Sequence, residues 1–227
     1  MITSVHIADV GAGATVRRLW RTPKWPGLRH ANLAITAPLG GPIRPSPQLG
    51  RLALVASWDD DDALDRFLGG HRMASALAGG WQVRLDPLRA WGSWPGLPDD
   101  LPRRRDVDHD GPAAVLTLGR LRLTQAPRFL RTSNRAENSV RAAPGLVWAT
   151  GMARPPFVST CSLWESTDAL SAYAYDTADP AHPDAIAADR AKPFHHQEAF
   201  IRFRPYASQG SLAGRNPLAE TWMSPVA

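Results

Sequence analysis

A ten-residue segment occurs twice in this chain, and that repetition constrains the fold more than any single motif does. Trp58-Asp59-Asp60-Asp61-Asp62-Ala63-Leu64-Asp65-Arg66-Phe67 returns as Trp164-Glu165-Ser166-Thr167-Asp168-Ala169-Leu170-Ser171-Ala172-Tyr173, and the pairs Trp58/Trp164 and Asp62/Asp168 are both 106 residues apart. Each copy follows a β-rich apolar run, residues 52–57 and 157–163, and each opens a predicted helix. Upstream, Pro26-Gly27-Leu28 and Pro144-Gly145-Leu146 form a second echo, each before another predicted strand. Two echoes in the same order imply a duplicated supersecondary unit.

Reading along the first copy, strands are expected over residues 4–10, 30–36, 52–57 and 81–88, with a short helix over 15–21 and another from Asp59. Aspartate suits a helix start, because a carboxylate accepts from free backbone N–H groups and meets the positive end of the dipole. Ala63, Leu64, Phe67 and Leu68 then follow the spacing of one buried helical face. The second copy repeats the order with strands over 113–123, 146–152, 157–163 and 198–204 and helices over 125–140 and from Thr167. The expected fold class is therefore α+β: tandem ferredoxin-like βαββαβ halves at 1–92 and 113–206, a Pro-rich charged linker at 93–112 and an unpatterned tail at 207–227. Each half makes a sheet with helices on one face, and the two open faces are expected to come together as a barrel-like sandwich around a central cavity.

Composition excludes more than it proposes. The net charge of +5 comes almost wholly from scattered arginines, Lys24 and Lys192 being the lysines, so no basic stripe marks a nucleic-acid surface. Cys161 is the lone cysteine, which excludes an internal disulfide and a multi-cysteine metal site. No stretch approaches the apolar length of a membrane span and no secretory signal opens the chain, so a cytoplasmic protein with at most a peripheral membrane contact is expected. Gly11-Ala12-Gly13-Ala14 lacks the third glycine of a dinucleotide fingerprint, and the run Asp59 to Asp62 lacks the glycine and final glutamate of a calcium loop.

Trp58 and Trp164, at strand ends, are candidate walls of a cofactor or apolar ligand cavity, or else plugs for the barrel ends. Five of the seven histidines, His71, His109, His182, His195 and His196, fall outside the expected strands. His71 and His182 follow the two duplicated helices at comparable places. His195 and His196 are adjacent and in an extended segment would diverge.

The stretches from Ala113-Ala114-Val115-Leu116 through Ser162-Leu163-Trp164-Glu165 to Ala181-His182-Pro183 and Phe200-Ile201-Arg202-Phe203 resemble the spheroidene monooxygenase family of carotenoid biosynthesis. So does the segment from His71-Arg72-Met73 to Arg89-Ala90-Trp91-Gly92. The resemblance spans residues 28–206 and departs at Pro193-Phe194-His195-His196-Gln197-Glu198, where the family tends to carry Trp-Phe and paired acids. It implies a dimeric α+β barrel type of fold and oxygen-dependent keto insertion into an apolar, carotenoid-like substrate, with haem b as cofactor and an electron donor as partner. A haem needs an imidazole for its iron and cations for its propionates. On the resemblance His182 is the first candidate ligand, with His195 and His196 as alternatives, and Arg202 and Arg154 are candidate propionate partners. A cofactor-free barrel oxygenase or isomerase, and a non-catalytic haem- or ligand-binding module, stay open beside the haem enzyme.

Overall fold

The computed structural model of the chain describes residues 1–40, 46–104, 107–175 and 187–218. The first half runs β1 (Ile2–Asp9), α1 (Ala12–Leu19), β2 (Leu28–Ala37), β3 (Gln48–Trp58), α2 (Asp61–Gly70), α3 (Arg72–Leu77) and β4 (Trp81–Gly92). The second runs β5 (Ala113–Leu121), α4 (Ala126–Ala142), β6 (Leu146–Arg154), β7 (Phe157–Trp164), α5 (Thr167–Ala174) and β8 (His195–Gly210). All eight strands close one barrel in the order β1-β3-β2-β6-β7-β5-β8-β4. Each half thus supplies four neighbouring strands, and the halves join edge to edge through β2·β6 and β4·β8. The open sheet faces line one barrel, as the barrel-like arrangement expected from sequence has it, and pairing across the two seams gives the outer strands of each half a backbone partner.

The duplicated residues do the same work twice. Gly27 and Gly145 sit at φ +80° and +77°, and a Cβ on either would fall 2.4 or 2.5 Å from the Cβ of Ala63 or Ala169. Glycine is needed at both for the left-handed turn and for the close approach of the helix. Their carbonyls accept from Asp59 N (2.8 Å) and Glu165 N (2.9 Å), which fixes each strand end against the turn. Asp60 and Ser166 then cap the helices, accepting from Ala63 N (2.8 Å) and Ala169 N (3.0 Å). The aspartate run is therefore a helix start, further tied down by Arg29 to Asp59 and by Arg84 to Asp61 and Asp65.

β8 continues to Gly210, four residues past the expected end of the half, because Ala207 to Gly210 pair with Arg84 to Trp81 of β4. The connection between halves is also more than a tether. Trp94 is buried in the barrel core, Leu97 and Leu101 pack against that core, and Ala90 N donates to Pro102 O at 3.0 Å. Inside the barrel Val5, Val83, Leu85, Leu116, Leu163 and Phe203 are all fully shut off from solvent. Cys161 lies among them, and burial pushes its thiol up to about 12, so it is an inert core residue. No helix among the described residues is long and apolar enough to cross a membrane.

The two helix layers differ sharply. Over the first sheet, Leu33, Leu52, Leu54, Trp58, Leu64 and Phe67 form a dry cluster, and α1 lies directly on β3. Each such side chain contributes on the order of 1.5–3 kcal/mol of burial. Over the second sheet the cluster shrinks to Leu39, Ala113, Val140, Trp164 and Leu170. Val140 is the sole buried residue of the 17-residue α4, whose sheet contacts are chiefly with β6.

Candidate active site over the second sheet

The second sheet turns a face of small residues toward α4. Thr117 and Gly119 of β5, Gly151 of β6 and Thr160 of β7 carry little side chain, and Val115, Thr117, Gly151, Val158 and Thr160 stay half-buried. Local sequence explains the thin cover. The stretch APRFLRTSNRAENSVRA offers Phe129, Leu130 and Val140 as its large apolar groups, too few to fill a layer that takes a whole cluster in the first half.

At one end of this face stands His195. In a regular strand residues three apart point to opposite faces, yet His195 Nδ1 meets Glu198 Oε2 at 2.9 Å. The reason is an irregularity: Arg120 pairs with Gln197 but Leu121 pairs with His195, so His196 is skipped and His195 swings to the helix side. Its Cδ2–Nε2 edge rests on Gly119, where a Cβ would sit 2.6 and 2.7 Å from those atoms. Phe129 of α4 packs edge-on at 5.3 Å. Because the carboxylate can only accept, Nδ1 carries the proton and Nε2 is the bare nitrogen of the neutral ring, the arrangement by which proteins orient a metal-binding histidine. Asp189 Oδ1 is 3.9 Å from Nδ1 but accepts from Phe194 N at 2.7 Å. The three donor atoms lie within 4.8 Å of one another, though with Nδ1 given to Glu198 the group reads as a braced imidazole rather than a cation cage.

At the other end stands Arg202, beside Val115 on β5 and opposite Arg89 on β4. Val115 and Gly119 are four residues apart on one face, about 13 Å at strand rise. Arg202 is 8% exposed and donates to Ser171 Oγ of α5 at 3.3 Å. Among the described residues no carboxylate pairs with it, and burial followed by the nearby Arg89 lowers its affinity for its proton. A buried guanidinium is costly unless acceptors or an anion join it. The neighbouring pair shows the contrast: Arg204 is neutralised by Asp86 at 2.8 Å.

No protein-family model matches the chain. A spheroidene monooxygenase of Rubrivivax gelatinosus is 33% identical over 197 residues, covering 84% of this chain and 73% of that protein. The chain belongs to the spheroidene monooxygenase family. A second member, from Cereibacter sphaeroides, is 26% identical over 187 residues, and the chain spans 57% of its length. Among solved structures, an aldoxime dehydratase superposes with a TM-score of 0.54 at 10% identity, covering 90% of this chain and 80% of that one, a likeness of fold alone.

Within this family member, the residues singled out from sequence fall in different places. His182 lies outside the described residues. His195 is on the helix side of β8 and His196 is exposed, so the adjacent pair diverges; both belong to a strand rather than to the loop expected for them. Arg202 faces the thinly covered layer, but Arg154 does not join it. Its guanidinium donates to Leu33 O at 2.9 Å and lies over Trp20, at the far seam between β2 and β6. Trp58 and Trp164 neither plug the barrel nor line its interior. Both are fully buried between sheet and helix, donating to Ser4 Oγ (2.8 Å) and Ser162 Oγ (2.9 Å). Trp58 packs on Phe67 and Trp164 stacks on Tyr173, and that packing corrects the cavity-lining assignment. Of the other histidines, His71 caps α3 by accepting from Met73 N at 3.0 Å, and His109 is held by Pro112 O at 2.8 Å. Sequence reasoning missed Glu198 and Gly119, whose roles depend on a strand irregularity that leaves no local signature.

Proposed function

We propose that the protein is a haem-dependent monooxygenase acting on an apolar, carotenoid-like substrate, with the cofactor held in the thin layer between the second sheet and α4. The observation that carries this reading is the pairing, on one half-buried sheet face, of a carboxylate-braced imidazole with a buried guanidinium that lacks an acid among the described residues. A floor of glycine and threonine suits a flat ligand, Nε2 of His195 suits its metal and Arg202 suits a carboxylate at its rim. The family membership supports the same class of chemistry. Haem, supplied with electrons by a donor, would contribute the activation of oxygen. The chain's own residues bind and orient: Glu198 holds the His195 proton on Nδ1, Gly119 admits the ring, Arg202 takes an anionic group, and α4 with Phe129 keeps water from the face.

Haem titration of the purified full chain tests this. His195→Ala should abolish or shift the Soret band, whereas His196→Ala should leave it unchanged. If His182→Ala removes the band and His195→Ala does not, the ligand is His182 and only that assignment fails. A wild-type chain that shows no Soret shift on adding haem would instead favour the cofactor-free barrel oxygenase.

A further inference from the structure

A surface of the first half, on α1, lies apart from the site over the second sheet. Trp20 is the most exposed large apolar side chain among the described residues, 67% open to solvent, and Val16, 58% open, precedes it by four positions. That spacing sets both on one side of α1 and its closing turn, while Thr15 and Leu19 are the residues the helix buries. Core packing therefore accounts for Leu19 and leaves the valine and the tryptophan in water.

The charges around this pair are of one sign. Residues 1–58 hold seven arginines and lysines against one acid, Asp9, and Arg51 takes that acid through two hydrogen bonds of 2.8 Å. Among the described residues no carboxylate pairs with Arg17, Arg18, Arg21 or Lys24. Arg17, Arg21 and Lys24 are exposed. The Arg154 guanidinium lies over the Trp20 ring at 5.2 Å and carries the positive charge across the indole itself.

An exposed indole among unpaired cations matches the boundary of an anionic bilayer. The ring enters the apolar edge, its N–H stays among headgroups, and the guanidinium and ammonium groups meet phosphates. A nucleic acid would use the same cations but would need aromatic faces for stacking, and Arg154 occupies one face of the indole while Val16 offers none.

We propose that this surface docks the protein on membranes that carry anionic lipid, with Trp20 and Val16 entering the headgroup layer and Arg17, Arg21 and Lys24 at the phosphates. Neither haem nor the second-sheet site is involved, so the full chain is tested without added haem. It should co-sediment with vesicles of mixed phosphatidylglycerol and phosphatidylcholine, less so at high salt, and not with phosphatidylcholine alone. Arg17→Gln/Arg21→Gln/Lys24→Gln should weaken binding about 100-fold, about five-fold for each charge lost. Trp20→Ser should weaken it about ten-fold, part of the effect of burying a large apolar side chain. Brominated lipid should quench part of the wild-type tryptophan emission, and Trp20→Phe, which keeps an apolar anchor, should bind yet lose that part. Arg103→Gln/Arg104→Gln, exposed in the connection that also carries Asp99 and Asp100, tests net charge alone and should stay within about two-fold of wild type. Absence of vesicle binding, equal binding to neutral vesicles, an equal loss in the Arg103/Arg104 variant, or capture of single-stranded DNA without capture of vesicles would each overturn the proposal.

Discussion

Replacing Gly119 by alanine inserts a methyl group where the His195 ring rests. The new Cβ would lie 2.6 Å from Cδ2 and 2.7 Å from Nε2, against an ordinary contact that begins near 3.4 Å, so the ring must recede by roughly 0.8 Å. A shift of that size is enough to break the 2.9 Å bond to Glu198 unless both side chains move together. Overpacking of this kind costs about 1–3 kcal/mol, and a hydrogen bond to a charged partner is worth a similar amount. Urea denaturation should therefore show Gly119→Ala destabilised by about 1–3 kcal/mol. Gly79→Ala, whose added Cβ meets nothing within 4 Å, should stay within about 0.5 kcal/mol of wild type. Haem affinity, followed at the Soret band, should fall with the displaced imidazole by about 5- to 150-fold. A Gly119→Ala protein with wild-type stability and a wild-type haem titration would refute the seating of His195 on the glycine.

Two other outcomes follow from buried charge. His6 is buried with Nε2 2.9 Å from Ser4 Oγ, and burial, aided by Arg84, lowers its pKa to about 4. The unfolded chain takes up this proton near 6.5 and the native chain does not, so stability should fall as pH drops from 6.5 toward 4; His6→Gln should make that profile shallower by up to about 1.4 kcal/mol per pH unit, and equal slopes in a urea series would contradict the assignment. Arg202→Met removes a buried cation that has no acid partner among the described residues. Its ligand-free stability should hold or rise, while haem affinity falls by about 10- to 100-fold; a loss of more than about 2 kcal/mol with unchanged haem binding would mean the arginine is structural.

The repeat was legible because its parts are local. Glycine at a left-handed turn, a capping aspartate or serine and an apolar helical face are each dictated by neighbours within a few residues, so Pro26-Gly27-Leu28 and Trp58 to Phe67 announce the same unit as their copies do. Those signals carry the α+β class, the two halves and the order of their strands. Family membership was likewise readable from the chain, since 33% identity to a relative is a property of sequence.

Which strand edges pair across the two halves was not readable. Edge pairing of β4 with β8 and of β2 with β6 couples residues more than 100 positions apart, and no local pattern specifies a partner strand at that distance. The site depends on the same long-range events. Glu198 reaches His195 because β8 slips register against β5, and Arg202 becomes notable once α5 buries it beside Arg89 with no acid near among the described residues. Trp58 and Trp164 teach the converse: their strand-end positions were right, but which side of a sheet an indole faces is settled by the helices packed over it, and that packing made both of them core. Local propensity decided the elements of this protein; the closure of the barrel decided which side chains meet, because only closure brings distant strands within a hydrogen bond of each other.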